Sequence, residues 1–145
     1  MARMEKTEVA DAPAAAAKAQ PQQITTMSVV ALALGWLVPG AGHLLQKRWG
    51  RGLLLMMSVV AMFVLGILME GKIYAFNTGD ILDILGFVGD LGAGALYVVA
   101  RALDIGRGAI NLATADYGTK YVIVSGLLNI ISAVDAYDIA IGKKQ

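Results

Sequence analysis

From Gly52 to Met69 the chain reads GLLLMMSVVAMFVLGILM, 18 residues without a charged side chain. At a rise of about 1.5 Å per residue, such a helix nearly matches the roughly 30 Å hydrocarbon core of a bilayer. A helix on the surface of a water-soluble domain would carry polar residues on every turn. Here only Ser58 interrupts the apolar run. The segment therefore reads as a membrane span, and the rest of the chain has to be folded around it.

Composition agrees. Charged residues make up 16% of the 145, against roughly 25% in a typical soluble domain. Glycine is abundant, with 17 residues, as is common in membrane helices. The formal net charge of +1 creates no field that would gather nucleic acid. Cysteine is absent, which excludes disulfides, thiolate chemistry and Cys-based metal sites. His43 is the one histidine, so a multi-histidine zinc site is excluded as well.

Residues 1–23 read as a disordered or loosely ordered tail, with mixed charges, an AAAA run and too little branched apolar surface for a core. Residues 24–145 read as the membrane domain. Its first apolar run covers about 24–38 and should end at Pro39-Gly40. "ALA" at Ala31–Ala33 mimics a signal-peptidase site, but few apolar residues precede it, so a retained span is expected. The second run is 52–69, and the loop between the two is short enough to make a helical hairpin. Trp36 and Trp49 flank that loop, and such rings prefer the headgroup zone.

The third run covers about 81–100. Asp80 suits a helix N-cap, with Asp83 in the first turn. Residues 102–115 are less apolar, with Asp104, Arg107 and Asn111 on one helical face, and suit an interfacial helix. The fourth run covers 121–141. The expected fold is thus an all-α integral membrane bundle of four transmembrane helices in two hairpins. Counted that way, each side of the membrane carries six cations; discounting the distal Arg3 and Lys6 puts the first and third loops in the cytoplasm. One internal echo stands out: GAG…WGRGLL at Gly40–Leu54 and GAG…IGRGAI at Gly92–Ile110, with spacings that differ by four residues.

The basic corner WLVPGAGHLLQKRWGRGLLL contains GAGHLL, which starts like a dinucleotide fingerprint. It lacks the third glycine, a preceding strand and a ribose-binding acid. YGTKY lacks the first glycine of a phosphate cradle. The mechanical reading is simpler: Pro39 stops a helix, Gly40 and Gly42 allow a reversal, and His43 is a polar corner residue. Gly50 and Gly52 start the next helix close in, while Lys47, Arg48 and Arg51 meet lipid phosphates at about 1 kcal/mol each.

Within the spans, Asp83 and Asp90 share a helical face, and Asp90 lies near the middle of its run. An ionised Asp there costs at least about 2.5 kcal/mol, so it should be paired, hydrated or protonated, with Asn129 or Ser125 as neighbours. Gly86, Gly89 and Gly94 suit close helix packing, and Ser125, Asn129 and Ser132 form a polar stripe fit to bond another helix. Asp135 and Asp138 mark where the last span meets water. No set of nucleophile, base and oxyanion donor converges in the sequence, so no catalytic residue, cofactor or metal ligand is assigned and no enzyme is expected.

PGAGHLLQKRWGRG with its apolar flanks resembles the corner of the two-transmembrane-helix domain family, whose hairpins carry a proline-glycine, a glycine-plus-aromatic turn and basic residues. Together with YGTKYVIVSGLLNIISAVDAYDIAIGKK, it is similar to an uncharacterised group of small bacterial inner-membrane proteins. The likeness covers Trp36–Gly52 and Tyr117–Lys144. It implies a polytopic inner-membrane protein and brings no activity with it. Two roles are expected from different classes. One is a structural or accessory subunit, packed in the lipid bilayer with copies of itself or in a larger membrane complex. The other is a small proton or cation pathway using Asp90 and Asp83.

Overall fold

The computed structural model describes residues 25–76, 79–108 and 113–143; the expected tail over 1–23 lies outside them. Six helices follow in order: α1 (Thr26–Leu37), α2 (Ala41–Leu45), α3 (Trp49–Leu68), α4 (Ile81–Leu91), α5 (Ala95–Ala102) and α6 (Ala113–Ala140). Among the described residues there is no strand, only an isolated antiparallel bridge between Lys72 and Arg107.

Among the described residues two helices, α3 and α6, are long and apolar enough to cross a membrane. A third crossing is possible only if α4 and α5 count as one span, although they are bent by 110°. Two to three such helices among the described residues do not confirm the expected four spans. The first run forms a helix of 12 residues, about 18 Å long and short of a roughly 30 Å core. It stops at Leu37, with Val38 extended before Pro39. The third run breaks at Gly92–Gly94. Gly94 adopts φ +61 and ψ −122, and a β-carbon there would stand on the Trp36 carbonyl oxygen. Only glycine satisfies both demands.

The expected interfacial helix over 102–115 is not seen in its described part, residues 109–112 lying outside the described residues. α5 ends at Ala102, residues 103–108 are non-helical, and α6 already begins at Ala113. The Ile73 N–H donates to the Gly106 carbonyl (2.8 Å), which holds 103–108 against the segment that follows α3. A backbone partner outside any helix has taken the place of an amphipathic face.

α6 is the pillar. α3 runs antiparallel to it, with Arg51 near Asp135 at one end and Gly66 against Gly118 and Val122 toward the other. α1 is also antiparallel to α6: Gly35 lies against Ala133, and Trp36 near Asn129. α4 is parallel to α6: Gly89 meets Ile123, and Gly92 meets Gly126. The small core is Phe63, Ile73, Ala93, Ala100 and Val122, with Ile67, Leu96 and Tyr97 packed on it. Outside it, α3 exposes Leu53, Leu54, Met57 and Leu68, and α6 exposes Leu127, Ile131 and Val134. The bundle is small-residue and polar within, and apolar without, as suits lipid as the solvent.

Candidate functional site

Three polar junctions lie inside the bundle. The first is the corner. Gly40, at φ +76, is the N-cap of α2, and a β-carbon there would strike the Gly52 carbonyl. Gly42 sits so close to the Ala31 carbonyl and the Ala136 methyl that a β-carbon would come within 2.7 Å of each. This packing carries His43 fully into the interior. Its Nε2 lies 3.1 Å from Asp135 Oδ2. A carboxylate can only accept, so Nε2 carries the proton. Arg51 Nη1 approaches the same oxygen at 3.8 Å. Gln46 Nε2 donates to the carbonyls of Gly42 (3.1 Å) and Ala136 (2.7 Å). The corner is thus riveted to the far end of the chain. Pro39 is buried with it, Arg48 is half-buried, and Lys47 is exposed at φ +58.

The second junction is Asn129, also fully buried. Its Nδ2 donates to Trp36 O (2.8 Å) and Gly92 O (2.9 Å). These are carbonyls at the C-terminal ends of α1 and α4, which have no helical partner of their own. Two short helices, approaching along α6 from opposite directions, end on one side-chain amide. Trp36, expected at headgroup level beside the corner, has its carbonyl tied to the middle of α6 instead. The Pro39-Gly40 reversal follows α1 only after it has run that deep.

The third junction is Asp90, fully buried in α4. Its partner is neither Asn129 nor Ser125, the neighbours expected from sequence. Oδ2 accepts the Tyr74 backbone N–H at 2.7 Å, and the Tyr97 hydroxyl donates to the Tyr74 carbonyl at 3.3 Å. Oδ1 has no hydrogen-bond partner among the described residues. Ser125 donates to the Val122 carbonyl of its own helix (2.6 Å), and Ser132 is buried beside Ala133. Asp83 lies at the mouth of α4, 3.8 Å from Lys72 Nζ, one residue turn from the Asp80 cap, whose Oδ1 accepts the Leu82 N–H.

The glycines and the serine-asparagine stripe lie against other segments inside the chain. Gly86 faces the Tyr74 ring, Gly89 faces Ile123, Gly94 faces Trp36, and Ser125, Asn129 and Ser132 are buried. No group of three or more His, Cys, Asp or Glu side chains able to hold a metal occurs among the described residues. Tyr74, Gln46 and the Trp36 carbonyl were not singled out by sequence. Their roles come from backbone groups and an irregular segment, which leave no periodic signal.

A family model described as a family of unknown function (DUF6677) matches residues 30–145. No curated protein and no solved structure matches the chain.

Proposed function

The chain belongs to the DUF6677 family of unknown function, and on that premise we propose that it is a multi-pass protein of the bacterial inner membrane with a structural or accessory role. The observation that supports this is the use of its polar groups. His43, Asn129 and Asp90 each tie together segments of the same chain, while the outer faces of α3 and α6 are continuous apolar surface. Such a molecule offers lipid or a membrane partner its apolar faces and keeps little polar chemistry accessible. The glycine face is spent internally, so copies of itself or a larger complex would dock on α3 or on the outer stripe of α6.

In this reading α3 and α6 cross the bilayer. α1–α2 and α4–α5 dip in from opposite faces and return, in place of two further spans.

A second reading, a proton or cation pathway, draws on Asp90, which is fully buried with Oδ1 unpartnered among the described residues and lies within a turn of the α4 break. Asp83 would stand at its mouth. One preparation separates the two. Protein purified in mild detergent is analysed for co-purifying partners and oligomers, then reconstituted into vesicles with a proton-sensitive dye. A stoichiometric partner or a stable oligomer, with no flux, supports the structural role. A flux abolished by Asp90→Asn replaces it with the pathway. Protein that washes off membranes in alkaline carbonate removes both.

A further inference from the structure

Where α3 ends and α4 and α6 begin, the structure has a cavity of about 770 Å³, within the range of ligand sites. Its rim carries Lys72, Arg107 and Lys120, and its apolar wall is built from Leu82, Leu85 and Ile123. We propose that this cavity holds the headgroup of an acidic phospholipid, with the acyl chains running down Leu82 and Leu85.

Three segments far apart in sequence bring these cations together. The antiparallel bridge sets Lys72 directly opposite Arg107, a placement that costs stability when both neighbours carry like charge. Lys120 joins them from the second turn of α6, where Thr119 accepts the Lys72 backbone N–H at 2.9 Å. Each cation has an exposed or loose partner. Lys72 stands 3.8 Å from Asp83 and over the Tyr74 ring, Arg107 is bonded to Asp104, and Lys120 sits 5.3 Å from the Tyr117 ring centre. Asp116 is the one acid among the described lining residues, against three cations. Exposed pairs of this kind exchange readily for a phosphate, which can bridge several cations at once.

The wall identifies the source of that phosphate. Leu82 and Leu85 are 69% and 67% exposed and continue the apolar outer face of α4. A soluble phosphate has no use for that surface; a diacyl lipid covers it. An amine-bearing zwitterionic headgroup would bring its own cation to a site already rich in them, whereas phosphatidylglycerol would not.

The inference rests on the membrane reading above. The test is native mass spectrometry of the full chain in detergent, titrated with phosphatidylglycerol or phosphatidylcholine of matched chains. One phosphatidylglycerol should remain bound where phosphatidylcholine does not. Combined Lys72→Gln, Arg107→Gln and Lys120→Gln should weaken it on the order of a hundredfold, taking about 1 kcal/mol, or about fivefold, for each charge. Lys47→Gln with Arg48→Gln, at the other end of the bundle, should leave it bound. Asp116→Asn should tighten it several-fold, which keeps the test open if the triple variant misfolds. Equal retention of the two lipids, unchanged binding in the triple variant, or displacement by millimolar glycerol phosphate would each overturn the lipid site. Any of these outcomes in protein that still resists carbonate extraction leaves the membrane reading standing.

Discussion

Asn129 is the residue on which the interior turns. Both hydrogens of its amide are committed, one to each of two helix-end carbonyls at 2.8 and 2.9 Å. In hydrocarbon those carbonyls have no water to fall back on. Asn129→Leu keeps the volume but leaves both unpaired, and should lower stability by about 1–3 kcal/mol. Asn129→Asp should cost more, because carboxylate oxygens would then face two carbonyl oxygens across hydrogen-bond distance. Unfolding by sodium dodecyl sulfate in mixed micelles would measure both. Stability unchanged in Asn129→Leu would mean that the amide does not hold the two helix ends together.

At the scale of elements, helices approach closely because glycines face backbone. A methyl at Gly126 would stand on the Gly89 carbonyl, and one at Gly118 would come within 2.6 Å of the Gly66 carbonyl. Backbone cannot rotate aside as a side chain can. Gly126→Ala should therefore force α4 off α6 and cost about 2 kcal/mol or more. Gly50 is the control: a β-carbon there meets nothing within 4 Å, so Gly50→Ala should be neutral or stabilise by up to about 1 kcal/mol. Thermal unfolding of both variants in one detergent would check the contrast; equal losses would refute it.

The same elements show what was legible in the sequence. The uncharged run at 52–69 falls within α3 but for its last residue, and the Asp80 side chain caps α4. The break in the third run was not legible, because a GAG triplet looks alike inside a tightly packed helix and at a reversal. What decides is Gly94's positive φ against the Trp36 carbonyl, a contact 58 positions away along the chain. His43 and Asp135, 92 residues apart, likewise carry no shared sequence signal. A charged residue near a span end reads as a surface mark until its partner is known.

For the whole molecule, the echo between GAG…GRG at 40–52 and 92–108 acquires a physical form. Each half runs as a short helix, a GAG turn, a shorter helix and a long helix, with GRG in the first turn of α3 in one half and in the non-helical 106–108 in the other. α1 and α3 start from the corner end of the bundle, while α4 and α6 start from the opposite end, so the second half repeats the order with its direction inverted. Inverted halves with broken helices meeting near the middle are a recurrent way to build membrane proteins. This arrangement also redistributes charge. Among the described residues the corner side holds Lys47, Arg48, Arg51 and Lys143, and the opposite side Lys72, Arg101, Arg107 and Lys120, four against four. The tie of a four-span count thus persists with two crossings, and the cation count favours neither orientation. A chain without cysteine makes the distinction measurable. Single variants Lys47→Cys, Lys72→Cys, Arg107→Cys and Lys143→Cys, all at exposed positions, would be labelled with a membrane-impermeant maleimide in intact cells and in inverted vesicles. Two crossings place 47 with 143 on one side and 72 with 107 on the other. Four crossings place 47 with 107, opposite 72 and 143. Labelling in that second pattern, which a single α4–α5 crossing also gives, would show that α4–α5 passes through the bilayer and that α4 does not end at Asn129 as a half-helix.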